Sequence, residues 1–189
     1  MPTAVLRRAP GSPLLAPALV RRIADAMLRE LGLEQAELSV LLTNDRQIQE
    51  LNRQHRDKDR PTDVLAFPLE EGEHSAVHRA GSPRALGDVV ISLDTAARQA
   101  KGRKRELLPE VRFLLVHGLL HLLGHDHGNP TEKRVMDAET RRLVRAVAEV
   151  LHNSPKKALP AAAPVRRAPR PRPAKPGTRK TRPRARPAR

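Results

Sequence analysis

The stretch Phe113-Leu114-Leu115-Val116-His117-Gly118-Leu119-Leu120-His121-Leu122-Leu123-Gly124-His125-Asp126-His127 decides how this chain is read. From Phe113 to Leu123 it is apolar on nearly every side, the pattern of a helix buried in a core rather than lying on a surface. His117 and His121 are spaced to fall on one face of that helix, about a turn apart. Gly124 stops the helix, since glycine accepts the left-handed backbone that a helix end requires. The chain then folds back with His125, Asp126 and His127.

Two imidazoles in an apolar helix need partners, because an unsatisfied buried polar group costs on the order of 1–3 kcal/mol. An isolated His-x-x-x-His pair often finds them in solvent or in core hydrogen bonds. Here four histidines and an aspartate fall within eleven residues, and a single metal ion satisfies both helix histidines at once, with His125, Asp126 or His127 as third ligand. Zinc suits neutral imidazole best. Three protein ligands leave one tetrahedral position open, the arrangement of a catalytic site; a fourth ligand from the turn makes the ion structural. The zinc-protease pattern needs a glutamate directly after the first histidine, and Gly118 occupies that place, which disfavours ordinary metalloproteolysis.

The net charge of +15 is unevenly placed. Ser154–Arg189 holds 13 of the 36 Lys and Arg and no acid, which leaves 23 basic against 21 acidic residues in the body. A Pro, Ala, Arg and Lys tail without a periodic apolar face is expected to be disordered and to touch RNA phosphates without sequence preference. The body, residues 1–152, is long enough to bury a real core. With no cysteine, disulfides and thiolate ligands are excluded, and a reducing cytoplasm is compatible. The apolar run Leu14–Val20 is broken by Pro17 and closed by Arg21-Arg22, a poor signal peptide, and no stretch is long enough for a membrane span.

Working outward from the histidine helix, Val5–Arg8 reads as a first strand. Ser12 or a neighbour caps a helix carrying Leu19, Ile23, Ala26 and Leu31, ended by Gly32. Glu37–Leu42 reads as a strand, though not by strict alternation. Asn44 with Gln47 starts a helix to about His55. Val64–Phe67 and Asp88–Ser92 read as neighbouring strands, with a polar, flexible stretch Leu69–Leu86 between them. Asp94–Lys101 is helical, the histidine helix starts at Glu106, and Asn129-Pro130-Thr131-Glu132 opens a last helix to about Leu151. The order predicts an α+β fold: a small mixed β-sheet of about four strands packed with about five helices, the metal site at the end of the buried helix.

The histidine stretch resembles the His-Gly-x-Leu-His-Leu-x-Gly-Tyr-Asp-His signature of the YbeY family, single-strand-specific endoribonucleases of rRNA maturation. Leu51-Asn52 through Arg56 to Asp57-Lys58-Asp59-Arg60-Pro61-Thr62-Asp63-Val64-Leu65-Ala66-Phe67-Pro68, and Leu86-Gly87-Asp88-Val89-Val90-Ile91, are similar to two further family segments in order and spacing. The resemblance covers about residues 3–152. It implies His117, His121 and His127 as ligands of one zinc ion and Arg56 as the functional arginine beside it. His125 stands where the family usually has tyrosine, and Ala66 where it usually has serine.

The resemblance implies a zinc-dependent endoribonuclease acting on single-stranded RNA in rRNA processing, at the 3′ end of the small-subunit RNA, in the cytoplasm. The small ribosomal subunit or its assembly factors are the implied partners, with no membrane involved. Arg56 by itself reads as a surface arginine paired with Asp57 or Asp59. A ribosome-assembly binding factor with a structural zinc is the competing reading, and a hydrolase of small molecules or peptides a weaker third. With Phe67 and Phe113 the only aromatic residues of the Phe, Tyr and Trp type, RNA is expected to be held by charge and shape more than by stacking.

Overall fold

The computed structural model describes residues 3–69, 84–126 and 128–153. Within them the chain runs β1 (Thr3–Arg8), α1 (Pro17–Glu30), β2 (Glu37–Thr43), α2 (Asp45–Arg56), β3 (Val64–Pro68), β4 (Ala85–Ser92), α3 (Leu93–Gly102), α4 (Leu107–Leu122) and α5 (Pro130–Asn153). This is the α+β order the sequence predicts. The sheet order is β1-β2-β4-β3, with β1, β2 and β4 parallel and β3 antiparallel to β4.

Alternation of side chains across the pleat divides the core in two. Leu38, Val40 and Leu42 of β2, Val89 and Ile91 of β4 and Ala66 of β3 enter the main core with α1, α4 and α5. Leu41, Leu65, Phe67 and Val90 point the other way and meet Ile48 and Leu51 of α2. Both faces of β2 are therefore covered, which is why its sequence reads as an apolar run rather than an alternation.

The local signals explain most boundaries. Asn44 accepts the Gln47 amide at 3.0 Å to cap α2, and Asn129 accepts the Thr131 and Glu132 amides at 3.0 and 2.9 Å to cap α5. Gly32 and Gly124, at φ 66° and 84°, take the left-handed positions expected of them after α1 and α4. Two expectations are corrected. Ser12 does not cap α1, which starts after Ala16 without a side-chain cap; Pro17 presets the first helical φ instead, and the Ser12 amide donates to Ala9 in a separate turn. Ala85 and Leu86 belong to β4 rather than to a flexible connection, because Leu86 is buried and its carbonyl accepts the Leu69 amide. Residues 70–83, His127 and the basic tail from 154 onward lie outside the described residues.

Candidate metal and phosphate site

Helix α4 sets the site. Val111, Leu114, Leu115, Val116, Leu119 and Leu120 bury it on most sides. At Gly118 it comes so close to the sheet that a Cβ there would lie 2.7 Å from Val89 Cγ1 and 3.2 Å from Val64 Cγ2. Only the missing side chain permits that approach, and it seats the flanking histidines beside β3. His117 and His121 are half-buried, and their rings meet edge to face with centroids 4.8 Å apart. Phe113, one turn before His117, lies nearly parallel to its ring, at 10° and 6.2 Å.

A cleft of about 680 Å³ opens over this face. It is lined by Phe113, His117, Gly118 and His121 of α4, by Arg56, Thr62, Asp63, Val64 and Ala66 between the end of α2 and β3, and by Gly124, His125 and Asp126 of the turn after α4. The turn is fixed by backbone bonds, with the Gly124 amide donating to His121 and the His125 amide to Leu120, both at 3.0 Å.

Arg56 is the last residue of α2, which Asp57 ends in the left-handed conformation at φ 55°. Among the described residues Arg56 makes no ion pair with Asp57 or Asp59; Asp59 accepts from Gln49 at 2.8 Å instead. The loop behind it is held by residues the sequence reading passed over. Asn52, only 3% exposed, donates its Nδ2 to the Arg60 carbonyl at 2.8 Å. Asp63 accepts from Gln99 Nε2 and from the Val64 amide, both at 2.9 Å, while its own carbonyl accepts the Ser92 amide at 2.9 Å. The available signal was a polar residue on the inner face of α2, beside Ile48, where an apolar one would ordinarily sit.

Carboxylates around the site are spoken for. A hydrogen bond from Lys133 holds Asp137 of α5 below the usual carboxylate range, with Arg141 and His117 adding to the effect. Arg142 does the same to Glu139. Among the described residues no three His, Asp or Glu side chains gather into a metal-binding group, so His125 and Asp126 line the cleft without completing a set with the helix pair. The structure thus brings Arg56, His117 and His121 to one cleft, and His127 lies outside the described residues. Two adjacent imidazoles are the donor type zinc takes, so the residues present fit that ion.

The fold and cleft define a small α+β protein in which a histidine pair on a buried helix shares a groove with an arginine. The chain belongs to the Endoribonuclease YbeY family, whose model matches residues 15–148. It is 49% identical over 127 residues to an Endoribonuclease YbeY of Anaeromyxobacter dehalogenans, covering 67% of this chain and 62% of that one. To the relatives of that name from Aquifex aeolicus and Geobacter metallireducens it is 47% and 41% identical, covering 64% and 76% of this chain and 77% and 93% of theirs. The chain thus spans rather under two thirds of the length of the Anaeromyxobacter relative. The solution structure of a Thermotoga maritima protein shares the fold with a TM-score of 0.56 at 23% identity, covering 85% of this chain and 99% of the other. No helix among the described residues is long and apolar enough to cross a membrane.

Proposed function

We propose that this protein is a zinc-dependent endoribonuclease that cuts single-stranded RNA during maturation of ribosomal RNA, at the 3′ end of the small-subunit RNA, in the cytoplasm. The observation that carries the reading is the meeting of His117, His121 and Arg56 in one cleft from distant parts of the chain. The name borne by the family and by its relatives supports the same activity.

His117, His121 and His127 are the residues that would hold the ion. When bound, zinc supplies Lewis acidity, polarising a phosphoryl oxygen and making water a stronger acid. Arg56 binds the substrate: its planar guanidinium matches two phosphate oxygens. With no ion pair of its own among the described residues, it pays no cost to break one on binding. Asn52 and Asp63 orient the Arg56 wall through the loop bonds described above. The basic tail adds sequence-independent attraction to phosphate, and the small ribosomal subunit or its assembly factors are the expected partners.

Metal content and cleavage of single-stranded RNA, measured together for the wild type, His121→Ala and Arg56→Ala, test this. Wild type should hold one zinc and cut, His121→Ala should lose both, and Arg56→Ala should keep zinc while losing cutting. Zinc lost as expected, with all three proteins equally active or inactive on RNA, would instead make the metal structural and the protein an assembly factor.

A further inference from the structure

Phe113 is one of only two phenylalanines in a chain without tryptophan or tyrosine, and α4 places it at the cleft rather than in the core. Its neighbours Val111, Leu114 and Leu115 are buried, whereas Phe113 is 37% exposed. A single exposed apolar side chain is ordinary on a protein surface. Among the described residues it differs from the other large exposed apolar side chains, Leu6, Leu14, Leu69 and Val135, in lining the same groove as Arg56 and the histidine pair. It is also flat, and its plane is aligned within 10° of the His117 ring one turn along the helix.

We infer that Phe113 is a stacking platform for the nucleobase next to the phosphate held at Arg56 and the histidines, so that the site grips one base by its face as well as the backbone by its charge. The inference rests on the RNA reading of the cleft and deepens it. Four residues of helix, about 6 Å of rise, separate Phe113 from His117. That is the scale on which a base projects from its own phosphate, so one nucleotide can engage Phe113 with its base and reach the His117 end of the cleft with its phosphate. Stacking on an aromatic face tolerates any base, because every base has a π-face, and it requires the base to be free of its pairing partners. The platform therefore selects for unpaired strands without selecting sequence. It also reverses the weight given to stacking from composition alone: two phenylalanines are few, but one of them is at the site.

The competing explanation is that Phe113 only packs against His117 to hold its ring, and the test separates the two. The probes are a short unstructured 2′-O-methyl RNA, which resists cleavage, and the same strand with one abasic residue at each position in turn. Because the chain has no other tryptophan or tyrosine, Phe113→Trp carries the sole indole, and its fluorescence reports stacking directly. The intact strand should quench that indole, and one abasic position should abolish the quench while binding persists. Phe113→Leu should keep the wild-type melting temperature, bind the intact strand roughly 5- to 150-fold more weakly, and be indifferent to the abasic position that weakens wild type. With cleavable RNA, its KM should rise by a similar factor while kcat stays within a few-fold.

Equal binding by Phe113→Leu and wild type overturns the inference. So does weakened binding in which the abasic penalty persists, since that is the signature of a residue acting only through His117. If wild type binds, and the quench and the abasic effect appear without any cleavage, the platform stands and the nuclease reading falls. If wild type binds neither strand, both fall.

Discussion

Replacing Gly118 by alanine adds one methyl group where α4 lies close against the sheet. The new Cβ would sit 2.7 Å from Val89 Cγ1, 3.2 Å from Val64 Cγ2 and 3.3 Å from Val89 Cγ2. Carbon atoms prefer roughly 3.5–4.0 Å, so about 1 Å has to be found. Val89 cannot yield it: its side chain is fully buried, branched at Cβ and therefore stiff, on a strand paired on both sides. The helix must lift instead, taking His117 and His121 with it, while Arg56 stays with α2. Overpacking of this kind costs about 1–3 kcal/mol, and alanine's better helix propensity returns about 1 kcal/mol. The expected outcome is a net loss of about 1 kcal/mol in urea denaturation. RNA cleavage should fall by about 10²-fold, since a displacement near 1 Å at a catalytic constellation costs on that order. Gly102→Ala is the control, because its Cβ would meet nothing within 4 Å, and it should be neutral or slightly stabilising. Gly118→Ala that is as stable as Gly102→Ala and cuts RNA at the wild-type rate would refute the argument that this close approach sets the histidine positions.

Three further outcomes are expected. Asn52→Ala leaves the Arg60 carbonyl without its side-chain donor and should lose about 1–2 kcal/mol of stability, with a rise in KM for RNA larger than any change in kcat, as Arg56 loses its backing loop. Asp45 joins α2 to α3: burial raises its pKa, but hydrogen bonds from Arg98, Ser92 and Thr95 outweigh that and hold it below its ordinary 3.8. A depressed carboxylate contributes stability above its unfolded pKa and loses it as pH falls through the folded value. Wild type should therefore be about 1–2 kcal/mol more stable than Asp45→Asn near neutrality, and the gap should close in titrations taken below pH 3.8. Zinc content should be unchanged in His125→Tyr and lost in His127→Ala; an ion retained by His127→Ala but lost from His125→Tyr would move the third ligand to His125.

Much of the site was legible because its signals are local. His117 and His121 share a face through helical spacing alone, and apolar residues all around them mark the helix as buried wherever it packs. Asn44, Asn129, Gly32 and Gly124 end or begin helices through bonds and backbone angles within a few residues of themselves, so their roles needed no knowledge of the fold. Ser12 misled because capping polarity looks the same in a turn, and Pro17 could start α1 without it. Ala85 and Leu86 misled because their strand is completed by a distant partner, β2, across a register shift between Glu37 and Leu38.

The sequence by itself determined the helix that carries the histidines, the order of elements, the separation of charge between body and tail, and the likeness to one family. Only the tertiary structure decided that β4 lies between β2 and β3, that Gly118 rests on Val89, that Arg56 shares a cleft with the histidines without an ion pair to its neighbouring acids among the described residues, and that Phe113 lines that cleft. The physical reason is range. Propensity, capping and periodicity act over a few residues, whereas the cleft is made by side chains far apart in the chain, and their meeting follows from sheet pairing and close packing.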